Sequence, residues 1–184
     1  LSILFLIVSV SCKKKINTAF LKPKSSKIKY AKGFDIIDKN GIKKLIIKSA
    51  FQNSKEIFSY TIEKKYNDKT LNDPFNQEIL VPINKIVITS TTHIPMVELL
   101  NEETAIIGFP FGKYVSSEKT RNLIDAGKIT EIGNESSLNT EILLDLQPEL
   151  VVGYGVSSAD KTLTSIKKAG INVIYNGDWL EETP

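Results

Sequence analysis

The sequence predicts an α/β fold: a parallel sheet with helices on both faces, preceded by a small antiparallel β-hairpin region. Three observations point to it. From Lys85 to Tyr175 short apolar runs such as Ile86-Val87-Ile88 and Leu150-Val151-Val152 alternate with stretches of helical period. These runs are continuously apolar, as in strands covered by helices on both sides. Before Pro82 the period is two, and Asn40-Gly41 stands between two apolar segments as the turn of a hairpin.

The first element in chain order is not part of that fold. Leu1 to Val10 is an apolar run too short to cross a bilayer as a helix, and it ends in small residues before Cys12. This is the hydrophobic core of a signal peptide over residues 1–11. Ser9-Val10-Ser11-Cys12 resembles a bacterial lipobox, although leucine is usual where Ser9 stands. The resemblance implies that Cys12 is lipidated and becomes the mature amino terminus. The first residue is Leu1, so further residues are expected upstream. Residues 12–27, rich in lysine, serine and threonine, read as a flexible linker.

Residues 28–82 read as the β-hairpin region and a connection. Phe34-Asp35-Ile36-Ile37 and Ile42 to Lys48 flank the Asn40-Gly41 turn, and Gln52-Asn53-Ser54-Lys55 forms a second turn before the alternating Phe58, Tyr60 and Ile62. Asp68 to Pro82 holds two prolines and shows no period, so it is expected to be irregular.

Residues 83–184 form the α/β lobe. The expected strands are Lys85–Thr89, Ala105–Gly108, Ile129–Ile132, Leu150–Val152 and Asn172–Tyr175. The expected helices are Thr92–Leu100, with Pro95 in its first turn, Ser117–Ala126 closed by Gly127, Asn139–Leu146 capped by Asn139, and Asp160–Ala169 ended by Gly170.

Composition narrows the function. Cys12 is the one cysteine and His93 the one histidine, which argues against a multi-cysteine metal site or a zinc enzyme. Sixteen lysines face five acids between Lys13 and Lys69, but that half has no arginine, so the forked donor that reads bases is missing and nucleic acid is not an expected partner. In a parallel sheet ligands sit at the carboxyl ends of the strands. There the sequence offers His93, Tyr114, Tyr154 and Trp179 with glycines and hydroxyl groups, a composition that suits a binding cleft. Lys113 and Arg121 are candidates as charges for an anion or as a solvated face. No nucleophile, phosphate loop or paired carboxylates emerge, so the chain is not expected to be an enzyme. The nearest signal is Gly153-Tyr154-Gly155-Val156-Ser157-Ser158, which approaches a dinucleotide fingerprint but has serine for its third glycine and Asn176 where an acid would bind ribose.

From Lys85 to Pro184 the chain resembles the substrate-binding proteins of ABC importers for iron complexes, haem or cobalamin. The likeness is carried by IVITSTTHIPMVELL, by YVSSEKTRNLIDAGKITEIG, by Leu138-Asn139-Thr140-Glu141 leading through a short helix to Pro148 and the strand at Leu150, and by YNGDWLEETP. It implies the amino-terminal lobe of a two-lobe protein that carries an iron siderophore, haem or cobalamin, with no permanently bound cofactor. It also implies a permease and its ATPase subunits as partners, and a location in the periplasm or cell envelope, held to a membrane by the lipid. Glu141 matches the glutamate with which the family's first lobe docks on the permease. A long helix and a second lobe would follow Pro184, so on this reading the chain is a fragment or the product of a broken gene. Two other readings stand beside it: a nucleotide-cofactor enzyme of the same architecture, and a structural surface lipoprotein.

Overall fold

The computed structural model describes residues 28–39, 42–65, 77–134, 137–154 and 161–182. The leader, Cys12, the linker, the Asn40-Gly41 pair and Gly155 to Asp160 lie outside these residues.

The first sheet has the order β1-β2-β3-β4. Strands β1 (Phe34–Lys39) and β2 (Ile42–Ile47) pair antiparallel with Lys39 opposite Ile42, the register of a two-residue hairpin loop. Strand β3 (Phe58–Lys64) runs antiparallel to β2. Strand β4 (Gln77–Val81) then pairs parallel with β3, inside the stretch expected to be an irregular connection. That expectation is corrected here. β4 is an edge strand whose only deeply buried apolar residue is Ile79, between half-buried Glu78 and exposed Leu80, too little alternation to stand out in sequence.

The second sheet is wholly parallel. Its strands are β5 (Ile86–Ile88), β6 (Ile106–Phe109), β7 (Thr130–Glu131), β10 (Leu150–Gly153) and β11 (Val173–Tyr175), in the spatial order β11-β10-β5-β6-β7. A small antiparallel hairpin, β8 (Gly133–Asn134) with β9 (Ser137–Leu138), follows β7. Helix α1 (Ile94–Leu99) is entered through a 3-10 turn over Thr91–His93, and is followed by α2 (Glu118–Asp125), α3 (Thr140–Leu146) and α4 (Lys161–Lys168).

Successive strand side chains point to opposite faces. Val87 packs in the core with Leu143 of α3 and Leu163 and Ile166 of α4, while its neighbour Ile88 packs with Ile94, Val97, Leu123 and Ile124 of α1 and α2. The sheet is therefore covered on both sides, as the apolar runs require. Helix ends follow the sequence signals. Asn139 Oδ1 accepts from the backbone N–H of Glu141 (3.0 Å) and Ile142 (3.1 Å), and Gly127 and Gly170 take positive φ after α2 and α4.

The two sheets are joined by an aromatic cluster and by one carboxylate. Phe51 and Phe58 stand 5.2 Å and 4.7 Å from Tyr175, ring centre to ring centre, and the Tyr60 hydroxyl accepts from the Tyr175 N–H at 3.3 Å. Burial pushes the Tyr60 phenol up from its ordinary value, so it stays protonated. Glu149, just before β10, bonds Lys65 at the end of β3 and the backbone N–H of Asn84 and Lys85. The Lys65 bond, followed by the amide of Asn84, holds its carboxyl below the ordinary range. Glu149→Gln is expected to cost about 1–2 kcal/mol, since the negative charge is lost and one of the two acceptor oxygens becomes an NH2 group. Stability of the native chain from this carboxylate is present above its ordinary value of 4.5 and is lost as pH falls through the lower folded value. Urea unfolding at neutral pH and in acid checks both: the variant's deficit shrinks in acid.

Candidate functional site

Reading outward from β5, the parallel strands run β5-β6-β7 to one side and β10-β11 to the other, so the order in which strands are added reverses between β5 and β10. A crevice opens at the carboxyl ends of two such strands because their connections leave to opposite sides. The backbone there is pinned across the gap: Thr89, following β5, donates its N–H to Val152 O (3.1 Å), and its Oγ1 accepts from the Tyr154 N–H at 2.6 Å. This fixes Tyr154 at the end of β10.

Tyr154 and Trp179 meet on this rim. Their ring centres are 6.4 Å apart at a tilt of 57°, and the residues are 37% and 41% exposed. Two large aromatic surfaces half open to water form a wall with polar tips, suited to a flat or bulky ligand. Trp179 lies in a 3-10 turn over Asp178–Leu180. That turn is held at both ends. A Cβ on Gly177 would come within 2.9 Å of the Ser49 and Ala50 carbonyl oxygens, so only glycine allows this approach, and the Glu181 carboxylate accepts from the N–H of Lys32 (2.9 Å) and Gly33 (2.7 Å).

The other expected site residues are placed differently. Tyr114 is 51% exposed in a turn after β6, packed on Phe111 at 6.3 Å with Lys113 Nζ 4.7 Å over its ring, and so belongs to another stretch of the rim. Arg121 donates to the carbonyls of Gly112 (2.6 Å) and Val115 (2.8 Å), which ties that loop to α2. Glu141 is exposed in the first turn of α3, where a carboxylate also suits the positive end of the helix dipole. His93 is 2% exposed and lies behind the rim, not on it. Its Nε2 is 3.6 Å from Asp178 Oδ1. Burial holds the imidazole below its ordinary value, with Asp178 pulling the other way.

Beside the aromatic wall, a cleft of about 780 Å3 runs between the first sheet and the α1 face of β10 and β11. Phe34, Leu45, Ile47, Met96, Val152 and Ile174 give it an apolar lining, to which Asn176 and Asp178 add polar groups. Sequence reasoning gave a site role to Trp179 and none to Asp178, Thr89 or Met96. Residues this far apart in the chain meet only through the strand order, and no local pattern signals it. Among the described residues no group of three or more acidic, His or Cys side chains is arranged to hold a metal ion, and no helix is long and apolar enough to cross a membrane.

No family model matches the sequence. The chain is similar to two lipoproteins of Methanocaldococcus jannaschii. It is 24% identical to uncharacterized lipoprotein MJ0878 in an alignment of 180 residues that covers 85% of this chain and 42% of that protein. It is 30% identical to uncharacterized lipoprotein MJ0872 in an alignment of 112 residues that covers 58% of this chain and 28% of that protein. The chain thus spans less than half the length of these relatives. Their names support a lipoprotein with a membrane-anchored or envelope location.

Proposed function

We propose that this lipoprotein binds a bulky metal complex, an iron siderophore, haem or cobalamin, at the rim of Tyr154 and Trp179 and delivers it to the permease of an ABC importer. The observation that carries the reading is the tilted aromatic pair exposed at the β5/β10 crevice. In this reading the work is capture rather than chemistry. The aromatic wall supplies contact area at little conformational cost, and a second lobe closes over the ligand. Glu141 then guides docking, fixing register more than supplying raw affinity. ATP hydrolysis belongs to the partner subunits.

Trp179 is the one tryptophan of the chain, so its fluorescence reports the rim directly. Titrating the full-length protein with a ferric siderophore, haemin or cyanocobalamin is expected to give saturable quenching with one of them. NAD serves as the comparison, because the same strand order occurs in nucleotide-binding enzymes. Saturation by NAD with none by the metal complexes would replace this reading with the enzymatic one. For the docking role, Glu141→Ala is expected to leave the quenching curve unchanged and to reduce ligand uptake by cells roughly tenfold or more, the scale of losing a charged interface contact. Unimpaired uptake removes that role.

A further inference from the structure

His93 ends the 3-10 turn between β5 and α1 and is almost wholly buried, yet neither ring nitrogen has a hydrogen-bond partner among the described residues. Asp178 Oδ1, 3.6 Å from His93 Nε2, also has none among the described residues. That distance is too long for a hydrogen bond. The two side chains come from turns 85 positions apart in the chain, and Asp178 immediately precedes Trp179. The Trp179 turn is anchored at Gly177 and at Glu181, and between these anchors Asp178 places its carboxylate beside the buried ring of the β5–α1 turn.

We propose that His93 and Asp178 form a proton-operated latch on the Trp179 turn, which makes His93 a positioning residue for the aromatic wall. Its bearing on ligand capture rests on the function proposed above; the latch itself does not. Asp178 is the charged group that faces the ring. Glu98 of α1 is engaged by the hydroxyls of Ser117 and Thr120, Glu181 by the amides of Lys32 and Gly33, and Arg121 by carbonyls. Tyr154 faces Trp179.

The direction follows from linkage. A buried imidazole takes a proton less readily in the closed turn than in an opened, hydrated one, so proton uptake favours the open turn. The closed turn has its full advantage above the ordinary histidine value of 6.5 and loses it as pH falls from there to the lower value of the closed form. Ligand would then be held at neutral and alkaline pH and let go in acid.

The test uses the full chain without ligand: acrylamide quenching of Trp179 from about pH 8 to about pH 4.5, with far-UV circular dichroism in parallel. The quenching constant is expected to rise about twofold, with a midpoint below 6.5, while the helix and strand signal stays constant. In His93→Gln, which keeps polarity and length but cannot titrate, the profile is expected to be flat. In Asp178→Asn, where the charge that aids protonation is gone, the midpoint moves to more acid pH. A flat profile in the native chain, or the native transition persisting in His93→Gln, overturns the latch; if His93→Gln does not fold, an unmoved midpoint in Asp178→Asn does so instead. Failure of siderophore, haem and cobalamin to bind removes the proposed function and leaves these outcomes untouched.

Discussion

Cys12→Ala is expected to move the protein from the membrane fraction to the soluble fraction, with its far-UV circular dichroism unchanged. The cysteine lies before a lysine-rich stretch and outside the described residues. What it would contribute is attachment. Each buried methylene of a lipid chain is worth about 0.8 kcal/mol, and one chain alone gives only reversible binding, whereas two hold a protein stably. Losing the attachment point is therefore close to an all-or-none change. The checks are sedimentation of membranes after expression with the native leader, and detergent phase partition. A variant that still sediments with membranes would show that something other than the cysteine holds it there.

Phe51→Ala is expected to destabilise the fold by about 3–5 kcal/mol, the usual cost of removing a buried phenyl ring. The ring is 2% exposed and meets Tyr175 and Phe58 edge-on, at 5.2 Å and 6.0 Å. It is thus the contact between the β2–β3 loop of the first sheet and the last strand of the second. A domain of this size is stable by only about 5–15 kcal/mol, so one substitution removes about a fifth or more of the total. Urea denaturation gives the difference, and a loss below about 1 kcal/mol would mean that the two sheets are not held together through this ring.

The α/β lobe was legible because its signals are local. Apolar triplets such as Ile86-Val87-Ile88 mark the strands, and Asn139, Ser117, Gly127 and Gly170 mark helix ends, each by a cap that needs no distant partner. The limits of the elements were less clear. Thr91 to His93 winds as a 3-10 turn where an α-helix start was expected, and β7 is only two residues long. Strand β4 escaped notice because a parallel partner reached by a long connection leaves no turn signal, and Ile79 alone carries its apolar face. The rim was half legible. Position after a strand singled out Tyr154 and Trp179, but it also singled out His93, which points inward and not into the crevice. Position gives the end of a strand; it does not give the direction of a side chain. The pairing of His93 with Asp178 depends on β10 lying between β5 and β11, a fact of strand order and not of spacing.

The outer strands of the parallel sheet have a consequence for life on a lipid surface. A molecule tethered in two dimensions meets its neighbours at high local concentration, where bare strand edges invite chain-to-chain pairing. On one side the phenol of Tyr60 occupies the amide of Tyr175, and on the other β7 offers a ladder of only two residues. Crowding along the bilayer therefore finds little template for fibre growth at either margin of this sheet.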